Sequence, residues 1–442
     1  MFNLFGKGKK KKAVVLGIDG VPCSLLRSLI GKGIMPNLAT LAQDGTLTEM
    51  TASIPEVSST SWTTFMTGVN PGKHGIYGFM DLKPHSYEYR FPNSSDIKSE
   101  TLWEIIGKND RRSIVINVPS TYPARPLNGI LTAGFVALDL QKATYPDSAY
   151  RYLKSINYRM DVDSQKAARA AELFAADINI TFETRRTAIL HLFDREEWDL
   201  FIGVITETDR LHHFFWAAYE DSSHPMNSFF VDFYRKIDGL IGDIAQRCGR
   251  DTPFIIVSDH GFTGIKSEVY LNAWLREKGL LRFRKEPPES LSDMHPESRA
   301  FALDPSRIYV NLKDRYPSGS VNREDYENVR SMIKEGLGEF SVDGQKVFRE
   351  IYLREDLYGG PVFESAPDMV ALSHTGFDLK GSLNKDALFG RSVFTGAHTR
   401  DDATFFINRK IEADGINIID VAPTVFRLMG IEHHAFEGKS AV

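Results

Sequence analysis

The 442-residue chain carries 53 basic and 58 acidic side chains, a formal charge of −5, with 42% hydrophobic and 25% charged residues. That is the composition of an ordinary soluble globular protein with a sizeable core, and the length suits two or three domains or one core with large insertions. The acidic balance argues against a nucleic-acid polymer as partner, though it leaves room for a local basic pocket facing a small anion. Two cysteines, Cys23 and Cys248, are too few for a disulfide framework and read as buried thiols.

The N-terminus imitates a signal peptide: Lys7 and Lys9 to Lys12 precede the apolar run Ala13 to Ile18. The run stops at Asp19 and no small-residue cleavage site follows, so residues 1–12 read as a basic flexible tail leading into the first core strand. Phe2, Leu4 and Phe5 beside the lysines would suit weak docking on an anionic membrane, and a disordered solubilising tail is the preferred reading. No later segment is apolar over a bilayer-spanning length, and a cytoplasmic location is expected.

Ala13 to Ile18 is a β-branched run ending in Asp-Gly, the pattern of a buried parallel strand with a functional residue at its C-terminal end. Amphipathic helices are predicted through Leu25, Leu26 and Leu29 and over Met35–Ala42, then a strand over Leu47–Ile54. A helix begins at Ser58, with Ser58 to Ser61 crowded around its N-cap, and runs to Met66. Further strands are predicted at Ser113–Val118, Ile130–Thr132, Leu200–Ile205, Phe254–Val257 and Met369–Leu372. Helices are predicted at Thr101–Gly107, Gln165–Phe193, Phe229–Arg247, Arg323–Leu337 and Ile419–Met429. The alternation predicts an α/β fold built on a doubly wound sheet. Two segments interrupt it: 145–198, long, helical and polar, is expected to form a lid, and 276–357, with its Lys285-Glu-Pro-Pro-Glu stretch, an inserted cap.

The chemistry-bearing residues are scattered. Asp19 ends the first strand, where ligands of open α/β sheets collect. Asp209 and His213 lie four apart, on one helical face, with His212 competing for the same role. Phe254 to Ser258 delivers Asp259 and His260 side by side, with Gly261 permitting the turn. His398 stands alone in Thr395-Gly-Ala-His-Thr. Carboxylates plus imidazoles suit a pair of divalent cations, and a serine at a helix N-terminus suits attack on a phosphoryl group. No Gly-x-Ser-x-Gly elbow surrounds Ser58, so activation by metal is the better idea.

Together these pieces resemble the alkaline phosphatase superfamily, most closely its type I phosphodiesterase and nucleotide pyrophosphatase branch. The stretch Pro55-Glu-Val-Ser58-Ser-Thr-Ser-Trp62 through Thr67-Gly68 to His74-Gly75 resembles that branch's nucleophile motif, and Ile419-Asp-Val-Ala-Pro-Thr-Val-Phe fits near the end. The resemblance implies an alkaline phosphatase-like core over 13–442 and two divalent ions, zinc in most similar enzymes and manganese in others. It implies that Asp209, His213 and His398 hold one ion and Asp19, Asp259 and His260 the other, with Ser58 as a metal-activated nucleophile forming a phosphoseryl intermediate.

The departures are informative. Nucleotide pyrophosphatases place an asparagine after the nucleophile to hold a phosphate oxygen, and Phe79 stands there. The sulfatase formylglycine motif and the Asn-Ser-Glu segment of cofactor-independent phosphoglycerate mutase are missing. Lys73, Arg210 and Arg400 lie beside the motifs as candidates to neutralise phosphate oxygens, while His74 is read as holding the turn at Gly75. The expected function is hydrolysis of a small phosphate diester; a phosphomonoesterase, a phosphomutase or phosphotransferase, and a non-catalytic metal-binding module are the alternatives. Phe214, Phe215 and Trp216 read as core of their helix before they read as a stacking platform. The sequence does not settle the oligomeric state.

Overall fold

The computed structural model describes residues 10–167, 169–412 and 414–442. At its centre five parallel strands lie in the order Gly129–Ala133, Ser113–Val118, Leu200–Ile205, Ala13–Ile18, Phe254–Val257. Ala403–Ile407 joins antiparallel at one edge and carries Thr46–Met50 outside it, and Thr144–Tyr145 closes the other edge. The first strand shows why both faces need cover. Val14, Leu16 and Ile18 enter one apolar cluster and Ala13 and Val15 another, the alternation that a strand's two-residue period imposes. The doubly wound sheet predicted from the alternation is the observed fold.

Helix Ala171–Arg195 belongs to the first of those clusters. Phe174, Ile178, Phe182 and Ile189 have no exposure and pack in the cluster that holds Val14 and Leu16. The polar composition that suggested a lid over 145–198 is thus the outer face of a packed layer, and this helix is core. Arg185 on it and Glu207 at the start of helix Glu207–Glu220 form a fully buried ion pair at 2.8 Å. Tyr158 Oη and the Met160 carbonyl accept one hydrogen bond each from the two Nη atoms. This pair seats the helix that carries Asp209 and His213.

A third apolar cluster forms around an antiparallel sheet of Ala300–Leu303, Arg307–Val310, Met369–Ser373 and Phe348–Leu353, with helix Tyr326–Gly338 against it. It gathers Tyr87 and residues from Val269 to Leu379, a wider span than the expected cap over 276–357. Met369–Ser373, which the alternation reading placed with the main sheet, belongs here. A short buried apolar run fits either sheet, and nothing in its own pattern assigns a partner. Phe215 and Trp216 are buried in the main core, as expected.

The basic tail falls mostly on residues 1–9, outside the described residues. Its last three lysines are anchored: Lys10 donates to the Asp110 carbonyl, the Lys11 carbonyl accepts from Arg111, and the Lys12 ammonium sits 4.5 Å over the Trp198 ring. No helix among the described residues is long and apolar enough to cross a membrane.

Replacing one partner of a buried ion pair strands the other without solvent, a loss of about 3–5 kcal/mol. Arg185→Met is therefore expected to lower the urea midpoint substantially, whereas Arg185→Met with Glu207→Leu recovers most of the loss. Equal midpoints for the single and double variants would show that the pair is not coupled.

Candidate metal centre and nucleophile

Three of the parallel strands are adjacent, with Ala13–Ile18 between Leu200–Ile205 and Phe254–Val257. Their C-terminal ends therefore deliver Asp19, Asp209 and Asp259 to one place, since neighbouring strands lie roughly 4.8 Å apart. His398 arrives separately, on Gly396–Thr399, which pairs antiparallel with Gly261–Gly264 so that Phe262 faces His398. This ribbon stacks the His260 and His398 rings at 3.6 Å. All six predicted ligand residues and Ser58 converge.

The distances divide the site into two overlapping groups. His398 Nε2 lies 3.1 Å from Asp209 Oδ1 and 3.0 Å from His213 Nε2, and His213 Nε2 lies 3.3 Å from Asp209 Oδ1. Asp19, Asp209 and His260 form the second group, with His260 Nε2 at 3.7 Å from Asp19 and 3.9 Å from Asp209. Asp209 lies in both, a bridging position that the predicted division did not contain. Asp259 stands behind: Oδ1 accepts from Gly20 N at 3.0 Å, while buried Oδ2 has no hydrogen-bond partner, with His260 Nε2 at 3.4 Å.

The imidazoles are aimed by their other nitrogens. Nδ1 of His213, His260 and His398 each lies 3.0 Å from a backbone carbonyl, of Gly396, Gly261 and Glu56 respectively. A carbonyl only accepts, so each Nδ1 carries the proton and each Nε2 turns a lone pair inward. Burial lowers His260 to about 4 and pulls His398 down as well, which keeps both rings neutral at neutral pH. The same burial raises Asp259 to about 7 and, with Asp259 and Asp209 nearby, pushes Asp19 well above the ordinary carboxylate range. The Nε2 atoms of His213 and His398, 3.0 Å apart, need either a proton or a metal cation between them. Carboxylate and imidazole donors around an orphaned carboxylate oxygen fit divalent metal ions.

Ser58 opens helix Ser58–Thr67 and does not cap it. Its hydroxyl instead donates toward Asp19 Oδ1 at 3.3 Å and lies 3.2 Å from His260 Nε2. The helix's free first-turn N–H groups stand beside it. Trp62, one turn on, donates from Nε1 to Asp19 Oδ2 at 2.8 Å. Its ring lies against Gly17, where a Cβ would meet Trp62 Cη2 at 2.5 Å. Trp62 was visible in the motif as a residue, but its role was not. His212 has the structural role: Nδ1 meets the Gly20 carbonyl at 2.8 Å and Nε2 the Tyr234 hydroxyl at 2.7 Å. His74 is likewise internal, accepting from Ile76 N on Nδ1 with Thr64 Oγ1 at 3.0 Å from Nε2, beside the left-handed Gly75.

Of the predicted substrate contacts, two reach the site. A cavity of about 50 Å³ lies among Ser58, Asp209, His213, His398, Arg210 and Phe79. Arg210 pairs with Asp161 at 3.0 Å and Asp209 at 3.1 Å and stacks 4.5 Å over Phe135, whose ring meets Phe79 edge-on at 5.0 Å. Lys73 is a correction: its ammonium pairs with Glu437 at 2.8 Å and lines neither site cavity, because Asn70 ties that turn to Glu437 and Gly359. Arg400 borders a separate cavity of about 330 Å³, with His398 and Glu56 in its wall. Sequence reading missed Asp161, Phe135 and Glu56 as site components, and only Glu56 lay inside a quoted motif.

Fold and donor set together define a metal-dependent phosphoric ester hydrolase. The chain belongs to the type I phosphodiesterase / nucleotide pyrophosphatase family, whose pattern it matches over residues 13–401. Among solved structures it superposes on phosphonoacetate hydrolase from Sinorhizobium meliloti 1021 in complex with phosphonoformate, with a TM-score of 0.66, 17% identity and 95% of each chain covered. Murine ectonucleotide pyrophosphatase/phosphodiesterase 5 follows at a TM-score of 0.59 and 12% identity, over 97% of this chain and 98% of that one. At these identities the likeness is one of fold, and it confirms the alkaline phosphatase-like architecture. Comparison with curated protein sequences gave no match.

Removing the Trp62 donor leaves a buried oxygen of Asp19 unsatisfied and the carboxylate less firmly aimed. Outer partners of this kind typically change metal affinity 10–100-fold. Trp62→Phe is expected to retain zinc or manganese about tenfold more weakly in competition with a chelator. Unchanged retention would remove Trp62 from the support of the site.

Proposed function

We propose that the protein hydrolyses a small phosphate diester through Ser58, with Asp209, His213 and His398 holding one divalent cation and Asp19, Asp259 and His260 the other. The observation that carries this reading is the convergence of Ser58 with these six residues at three adjacent strand ends and on the ribbon that brings His398. Bound there, the cations would neutralise phosphoryl oxygens and favour the ionised serine.

The residues' own work follows from their positions. Asp19 Oδ1 and His260 Nε2 hold the Ser58 hydroxyl in position, and the hydroxyl would give up its proton to solvent with a cation on these residues. The N-terminus of helix Ser58–Thr67 turns its partial positive charge toward the group under attack. Ser58 Oγ bonds to phosphorus as the bond to one ester oxygen breaks, and the alcohol leaves carrying a proton. Water then opens the phosphoseryl ester and restores the hydroxyl.

Charge favours a diester. Arg210 faces the phosphoryl cavity, but Asp161 and Asp209 already balance it. A dianionic monoester asks for more positive charge than a monoanionic diester. A larger cavity of about 290 Å³ adjoins at Phe79, His213 and His398 and gives one ester group a place.

With zinc or manganese present, bis(4-nitrophenyl) phosphate is expected to turn over with a kcat/KM at least tenfold above that of 4-nitrophenyl phosphate. Ser58→Ala should lose about three orders of magnitude or more while still binding metal. A monoester preference would overturn the diester reading, and full activity in Ser58→Ala would remove the serine from the chemistry. Chelation should abolish turnover, with recovery on adding the ion back.

A further inference from the structure

The cavity of about 290 Å³ has one end at His213 and His398 and the other in the smaller sheet region, at the turn Asp304-Pro305-Ser306 and the strand Phe377–Lys380. Its middle is apolar, walled by Val57, Phe79, Met80, Leu379 and Phe394. At the small end of the range for ligand pockets, it has room for one ring-sized group rather than a polymer.

The far end is polar in a particular way. Ser306 is 1% exposed, yet its hydroxyl has no hydrogen-bond partner. An unsatisfied buried hydroxyl costs about 1–3 kcal/mol, and a turn of the Ser306 side chain about χ1 toward the cavity that the residue lines would give it a partner there. The backbone there is constrained: Ser306 has φ +52°, and Asp304 Oδ1 accepts from Gly381 N at 2.6 Å, which ties the turn to the residue after Lys380. The Lys380 ammonium binds Asp378 Oδ2 at 2.7 Å and lies 5.7 Å from the centre of the Phe394 ring. One of its three N–H donors meets Asp378, which leaves others for a ligand. Asp304 and Asp378 outnumber Lys380, so the local charge is negative and a second anion is disfavoured.

We infer that Lys380 and Ser306 are specificity-determining residues, reading the far end of one ester group as a neutral polar tip on an apolar, ring-sized body. This rests on the diester reading above. A carboxamide or hydroxyl fits: its oxygen accepts from Lys380 and Ser306, and its hydrogen can be accepted by Asp378 or Asp304. A carboxylate or second phosphate does not.

The test uses metal-loaded full-length protein and methyl aryl phosphates bearing at the para position hydrogen, carboxamide or carboxylate. The ratio of wild-type to variant kcat/KM for each ester cancels leaving-group reactivity. Ser306→Ala and Lys380→Met should each lower kcat/KM about tenfold for the carboxamide and less than twofold for the unsubstituted phenyl ester. In wild type, 4-hydroxybenzamide should bind by calorimetry and 4-hydroxybenzoate more weakly, with the benzamide signal at least fivefold weaker in each variant. Equal losses across the three esters, or tighter binding of the benzoate, would overturn the subsite. Benzamide binding that follows this pattern in a protein that turns over none of the esters would uphold the subsite and sink the diester reading instead. Ser306→Ala removes no hydrogen bond, so it serves even where Lys380→Met fails to fold.

Discussion

Everything at this site follows from negative charge and lone pairs enclosed together. Asp19, Asp209 and Asp259 are all buried, and three imidazoles turn Nε2 toward the same small volume. Burial and mutual repulsion push Asp19 and Asp259 up, so the bare arrangement is tolerable only when it holds protons or cations. The surrounding structure is arranged to keep it assembled at that cost. Three backbone carbonyls fix the rings, Trp62 holds Asp19, and a fully buried Arg185–Glu207 pair seats the helix that brings Asp209. Such rigidity suits a site that must present donors to a metal without rearranging.

Much of this was legible because it depends on strand ends. An apolar run that stops at an aspartate declares both a buried parallel strand and a residue at its C-terminal edge, and Asp19 and Asp259 obey that rule. Asp209 and His213 were placed together by helical spacing alone. His398 had no such support: it stands on a ribbon whose pairing with Gly261–Gly264 spans more than a hundred residues, and only the family resemblance pointed to it. Spacing favoured His213 over His212 only slightly, and the fold supplies the reason. Both face Asp209 by spacing, and the Tyr234 hydroxyl, from another helix, claims His212.

The differences have two causes. The polar helix expected to be a lid is half apolar at the spacing that faces the sheet, and Met369–Ser373 pairs with the nearby Phe348–Leu353, so both were decided close by in the chain. Lys73 sits in the nucleophile motif and carries the right charge, but Glu437 near the C-terminus claims it, a partner beyond any local pattern. Ser306 and Lys380 gave no sequence signal for the same reason. A serine in a turn and a lysine in a strand become notable only when the fold buries one hydroxyl unsatisfied and sets an ammonium paired with Asp378 in the wall of the same cavity.

The two ends of the cleft then divide the work by charge. At the proposed phosphoryl end Arg210 is balanced by Asp161 and Asp209, so on that reading most of the compensation for a phosphate would come from cations on the carboxylates and imidazoles. At the far end the excess of carboxylate over ammonium repels a second anion. A substrate that satisfies both carries one negative charge at the metals and a neutral polar tip about one ring away. On the proposed reading the groups at the ends of the central strands would carry the chemistry, while Ser306, Asp378 and Lys380 would choose the ester, so that choice could change without disturbing the aspartates on which the centre depends.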